Sequence, residues 1–143
     1  MARVDFYLLA EADERARERF ACRLAEKAYR LRHSVHIHAP DRAGAAQLDD
    51  LLWTFRDGSF VPHQLTESGE APVEAPITIG WTAPGLRAAD LLINLSEALP
   101  PELGSFPRVA EIVTSGEERK QRSRALFSAY RSQGHTLEIH ELA

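Results

Sequence analysis

His36 and His38, with His33 close by, are the first side chains in the sequence whose spacing suggests chemistry, because alternate residues of an extended strand share one face. Two imidazoles so placed could bind a metal, but no cysteine and no carboxylate triad completes the shell, so no zinc site is expected. The turn after the first apolar run reads Ala10-Glu11-Ala12-Asp13-Glu14. A dinucleotide fold would place glycines there; this turn has none, and its three acids would repel a pyrophosphate. Gly116 precedes Glu117-Glu118-Arg119-Lys120 without the second glycine of a P-loop, and no Gly-x-Ser-x-Gly elbow occurs. The paired acids Asp49-Asp50 and Glu117-Glu118 read as solvated helix turns and caps. The expectation is no catalytic residue, no cofactor and no metal.

Charge and an aromatic ring converge in the last helix. With Lys120 at 0° on a helical wheel, Arg124 falls near 40°, Phe127 near −20° and Arg131 near 20°, at about 100° per residue. These four share one stripe, with Phe127 expected to face outward. Leu126, Ala129 and Gln133 fall on the far side, with Tyr130 at the border. Three readings are open. The stripe is a solvated face whose cations pair with Glu117 or Glu118, a stacking and cationic surface for single-stranded nucleic acid, or a seat for an acidic peptide ending in an apolar residue.

A second constellation spans Leu48 to Leu65. Leu48, Leu51, Leu52 and Phe55 recur at helical spacing and face a core, whereas Trp53 sits on the shoulder of that stripe and is a candidate for exposure. Gly58 suits a left-handed helix end. Phe60-Val61-Pro62-His63 follows; Pro62 lacks a donor, so this tetrapeptide is expected to be extended, at a sheet edge or outside a sheet. Trp53, Phe60 and Val61 either close one end of the core or form a docking patch.

The elements that must position these residues are legible as alternating strands and helices. Val4 to Ala10 reads as a first, central strand buried on both faces. Asp13 caps a long helix on which Ala16, Phe20, Leu24, Ala28 and Leu31 recur. Ser34 to Ala39 reads as a second strand, and Asp41 caps a helix reaching about Phe55. Residues 66–76 read as a loop. Ile77 to Trp81 and Asp90 to Leu95 read as two strands joined through Ala83-Pro84-Gly85, with a breaker-rich link from Pro100 to Pro107. Arg108 to Val113 is a fifth strand, Ser115 and Glu118 a capping box, Gly134 a helix stop, and His135 to Glu141 a sixth strand. The sum is a three-layer, Rossmann-like α/β domain, with a mostly parallel central sheet, spanning residues 1–143.

Composition narrows the function. The 143 residues carry a net charge of −4, and the isoelectric point is about 5.9, which argues against a protein that coats a phosphate backbone. A lone cysteine, Cys22, matches a reducing compartment and reads as a small, partly buried side chain. The N-terminus lacks a signal-peptide pattern, and no apolar run approaches the roughly 20 residues that span a bilayer. A cytoplasmic protein without membrane contact is expected.

Taken in order, Asp5-Phe6-Tyr7-Leu8-Leu9, Leu48-Asp49, Leu52-Trp53, Ser59-Phe60-Val61-Pro62-His63 and Ala129-Tyr130-Arg131 with Gly134 resemble the chi subunit family of bacterial DNA polymerase III across nearly the whole chain. The resemblance implies a noncatalytic clamp-loader accessory subunit. Its last helix would bind the acidic C-terminal tail of single-stranded DNA-binding protein through Lys120, Arg124, Phe127, Tyr130 and Arg131. Trp53, Phe60, Val61, Pro62 and His63 would contact the psi subunit, and DNA would be met only indirectly. Ser128 stands where the family pattern would put another basic residue, which bears on affinity rather than on mode. The rival reading, a nucleotide- or metal-dependent enzyme using the crevice at the strand ends, rests on fold class and the His36/His38 pair alone.

Overall fold

The computed structural model describes residues 2–58, 60–67, 75–83, 86–100 and 106–142. Its elements run β1 (Arg3–Leu8), α1 (Glu14–Arg30), β2 (Val35–His38), α2 (Arg42–Thr54), β3 (His63–Thr66), β4 (Ile77–Gly80), β5 (Leu91–Asn94), β6 (Arg108–Val113), α3 (Glu117–Ser132) and β7 (Thr136–Glu141). The strands form one sheet in the order β3-β4-β2-β5-β6-β1-β7. Every pairing is parallel. Helices α1 and α2 bury one face and α3 part of the other, giving the expected three-layer α/β fold.

The local signals act as expected at the helix ends. The Asp13 carboxylate accepts from the Arg15 amide at 3.0 Å and the Asp41 carboxylate from the Gly44 amide at 2.7 Å, each satisfying a donor that the helix leaves open. Gly58 and Gly134 take φ of 76° and 83°. A Cβ is disfavoured there, and the chain can turn out of α2 and α3.

The face that α1 buries is made of Ala16, Ala21, Cys22, Ala25 and Ala28, small side chains that let the helix lie close to the sheet. Leu31 instead stands 59% exposed, against its expected place in that stripe, because the helix ends at Arg30 and Leu31 is its cap. Arg17 is buried among the small residues. Its Nε donates to the Ile112 carbonyl at 2.9 Å and Nη1 to the Leu95 carbonyl at 3.2 Å, tying α1 across the ends of β5 and β6.

Several expectations are corrected. β1 is not central: it lies one strand from the edge, between β6 and β7, and parallel crossovers, not order in the chain, decide that place. β4 and β5 are separated by β2, so the segment between them is not a direct link across adjacent strands; Pro84 and Gly85 lie outside the described residues. A seventh strand, β3, begins at His63, where the tetrapeptide was expected to sit at an edge, and its last residue opens the span read as loop. It pairs with β4 alone, and Pro62 falls just before it, where no ladder donor is needed. Residues 68–74 of that span are outside the described residues, as is Ser59. The expected Ser115/Glu118 box does not form: Gly116 is the N-cap of α3 and no side chain caps it.

Candidate partner-binding site

Helix α3 rests on two rings. Phe127 packs on Phe6 of β1, with centroids 5.4 Å apart and planes at 56°. Phe6 in turn meets Tyr130 edge-on at 6.0 Å and 80°. Phe127 is therefore half-buried and not free in solvent, and it forms a wall of a groove.

The groove has a volume of about 510 Å³ and lies between the first turns of α3 and the C-terminal ends of β1, β6 and β7. Phe6, Leu8, Val113 and Ile139 give it an apolar floor and side, and Lys120, Ser123 and Arg124 line its α3 wall. Ile139, on the edge strand, is 56% exposed. In parallel register it lies beside Phe6. Such an apolar slot with cations on one wall can take a chain end that is acidic and tipped with a hydrophobic side chain.

The cations of the stripe are not neutralised from within. Glu118 is held by Arg122 at 2.7 Å and Glu97 by the same guanidinium at 2.5 Å, while Glu14 is held by Arg119 at 2.5 Å. Among the described residues, no carboxylate lies within ion-pair distance of Lys120, Arg124 or Arg131, all of which are exposed. Of the five residues the sequence brings to this helix face, the groove gathers Lys120, Arg124 and Phe127, together with Ser128. Arg131 is exposed one turn further on and does not line it.

Tyr130 is elsewhere: at 0% exposure it is buried in the core rather than sitting at a border. Its hydroxyl donates to Glu111 at 2.5 Å, and the Asn94 amide donates to the same carboxylate oxygen at 2.7 Å. Asn94 and Glu111 are register partners on β5 and β6, so their side chains emerge together under α3. Burial pushes the Glu111 carboxyl up to about 7, and the two donors pull it partly back; burial and the neighbouring carboxylate raise the Tyr130 phenol. Tyr130 thus holds α3 on the sheet, a role the wheel alone did not reveal.

The second constellation is a surface cluster. Trp53 is 49% and Phe60 71% exposed, their rings 5.5 Å apart, and the Trp53 ring lies 4.4 Å from that of His63. Val61 is buried and Pro62 half-buried, so Val61 closes the core while the two large rings stand outside it. His63 Nδ1 lies 2.7 Å from the Val61 carbonyl and Nε2 lies 3.0 Å from that of Asp49, with the Asp49 carboxylate at 3.2 Å. This imidazole stitches the end of α2 to the start of β3.

His36 and His38 do share a strand face, but they are buried in it. His36 Nδ1 meets Thr78 Oγ1 at 2.7 Å, and its ring lies 6.4 Å from that of Phe106. Burial holds both imidazoles below the usual histidine range, His36 at about 3. Among the described residues, the one group that could offer three ligand atoms to a cation is Asp5, Glu138 and His140. Its buried member is already engaged: Asp5 receives His140 at 2.9 Å, Arg108 at 3.0 Å and Arg3 at 3.2 Å, an internal cluster that joins β1, β6 and β7.

Sequence comparison bears on what such a two-patched domain is for. The family described as DNA polymerase III chi subunit, HolC, matches residues 1–138. The chain is 44% identical to DNA polymerase III subunit chi of Pseudomonas aeruginosa over 142 residues, covering 99% of this chain and 98% of the relative. It is 35% identical to the protein of the same name from Haemophilus influenzae over 134 residues, 92% of each chain. Against that of Escherichia coli it is 34% identical over 124 residues, 84% of this chain and 82% of the relative. On a match that runs through β1, the Trp53 cluster and α3 alike, this chain belongs to the DNA polymerase III chi subunit family and has a role in DNA replication.

Proposed function

We propose that this protein is a noncatalytic accessory subunit of the replicase that bridges the clamp loader to single-stranded DNA-binding protein. The α3 groove takes that protein's acidic C-terminal tail, and Trp53, Phe60, Pro62 and His63, on a base closed by Val61, take the psi subunit. The observation that carries the reading is the groove itself. It is an apolar slot walled by Phe127 and Ile139, with Lys120 and Arg124 free of ion-pair partners among the described residues, matching a peptide with carboxylates along its length and an apolar tip. Arg131 extends the attraction beyond the slot, and Tyr130 keeps the wall in place from beneath. No helix among the described residues is long and apolar enough to cross a membrane.

The test is titration of a labelled peptide carrying such a tail. Because the charge pairs would lie largely in solvent, affinity is expected to fall with salt. Arg124→Ala should lower it roughly fivefold, the worth of about 1 kcal/mol, with an unchanged melting temperature. Binding that is indifferent to both salt and Arg124→Ala would overturn the tail assignment.

A further inference from the structure

The opposite side of the molecule carries a second cationic surface, built on the solvent face of α1. Arg15, Arg19, Arg23 and Lys27 follow one another at four-residue intervals, so they form a ridge with a step of about 6 Å and a length of about 18 Å. All four are exposed, and none has an ion-pair partner among the described residues. Arg30 and Arg56 continue the ridge at its C-terminal end. There they share Glu26, a buried carboxylate, at 3.6 and 3.1 Å. Glu18 and Asp50 line a hollow with Arg15 and Arg19, and Asp13 and Glu14 lie close to Glu18 at that end; at the other end Arg23, Lys27, Arg30 and Arg56 line a hollow in which Glu26 is the one acid.

Helix stability does not account for the ridge. Like charges four residues apart repel along a helix, and Arg15 sits in the first turn, where the helix dipole disfavours a cation. The turn after the helix also holds a cation, at a position strained for any residue but glycine. Arg32 adopts φ of 63°, a left-handed position at which α2 and α3 are followed by glycine, yet α1 is followed by an exposed arginine. Net acidity of the whole chain had argued against phosphate contact, but it averages over a face that is locally positive.

We infer that the α1 ridge is a contact for the phosphate backbone of single-stranded DNA, separate from the peptide groove of α3. The ridge presents charge with little apolar surface: Leu31 is the large exposed aliphatic at its end, and Phe20 lies half-buried under the Arg23 guanidinium at 5.6 Å. That chemistry suits a sequence-independent polyanion rather than a protein partner needing an apolar anchor. The ridge runs along one helix and is flanked by two shallow hollows, a course that a flexible single strand can follow. The family is described as a subunit of a DNA polymerase, an enzyme whose template is single-stranded DNA. Sitting on the sheet face opposite α3, the ridge can be occupied at the same time as the groove.

The test is fluorescence anisotropy of the full chain with a labelled oligothymidylate. If four phosphates are neutralised, the log–log salt slope is roughly −2.8, so affinity should drop about 50-fold between about 50 and 200 mM salt. The double variant Arg19→Glu/Arg23→Glu should bind more weakly, with a slope at most half as steep, while Arg19→Lys/Arg23→Lys keeps the slope. Melting curves establish that the variants are folded, and α3 tail binding should be unchanged in both. The inference is overturned if wild type shows no binding at low salt or if the charge-reversed variant keeps the wild-type slope. It is equally overturned if Arg124→Ala abolishes DNA binding, if a duplex binds as tightly as the single strand, or if a polyglutamate peptide occupies the ridge with equal affinity.

Discussion

Replacing Tyr130 by phenylalanine separates the two roles that an aromatic on α3 can have. The ring contacts with Phe6 are kept, and only the hydroxyl that donates to Glu111 is removed. The carboxylate, wholly buried, is left with Asn94 as its close donor. Leaving a buried acceptor short of a partner costs about 1–3 kcal/mol. For a domain of this length that corresponds to a fall in melting temperature of about 3–10 °C. The loss should also depend on pH. Burial raises the folded Glu111 carboxyl to about 7, so its contribution is whole below the ordinary carboxylate range and is lost as pH rises through about 7. Removing a donor to the ionised form raises that carboxyl further, so the variant should be penalised more at pH 8 than at pH 5. Urea denaturation of both proteins at those two pH values measures the difference, and peptide titration measures the groove. A pH-independent loss, or none, would refute the buried network as the anchor of α3. A large fall in tail affinity with intact stability would return Tyr130 to the contact surface.

Three further outcomes are expected. His36, held at about 3 by burial first and by His38 and Arg87 beyond that, stays neutral in the folded chain while the unfolded chain protonates it near 6.5. Stability should therefore fall as pH drops below 6.5 by up to about 1.4 kcal/mol per unit from this group, and His36→Gln should flatten that acid limb in denaturation measured from pH 7 to 4.5. Gly134→Ala should cost about 1 kcal/mol in thermal melts from the left-handed backbone alone, since nothing lies within 4 Å of the added carbon; an unchanged stability would contradict the strain argument. Phe60→Ala, removing a ring that is mostly in solvent, should leave the melting temperature within about 1 °C yet weaken capture of the psi subunit, and a variant that retains wild-type psi affinity would remove Phe60 from that contact.

Much of the architecture is readable from local chemistry because local chemistry decides it. Apolar runs mark β1, β4, β5 and β6, the Asp13 and Asp41 carboxylates mark helix starts, and Gly58 and Gly134 mark helix exits. β3 escapes because His63–Thr66 has neither alternation nor length; pairing with β4 makes it a strand, and that is a nonlocal event. The same reason hides half of the candidate site. Lys120, Arg124 and Phe127 are found by their period on one helix, but Phe6 and Ile139 join them only once β7 is known to lie beside β1. Tyr130 sits close to the boundary of a helical wheel, and only the pairing of Asn94 with Glu111 draws it inward. Leu31 fits the α1 period but follows its last turn, so periodicity overreaches by the one residue that capping excludes.

Amide chemical-shift mapping of the labelled chain with an acidic, hydrophobically tipped tail peptide decides whether the α3 groove is the tail's seat. The largest shifts are expected at Leu8, Val113, Lys120, Arg124, Phe127 and Ile139, with α1 and the Trp53 cluster unmoved. Shifts confined to α1 or to Trp53 and Phe60, with the α3 groove silent at saturation, would contradict it.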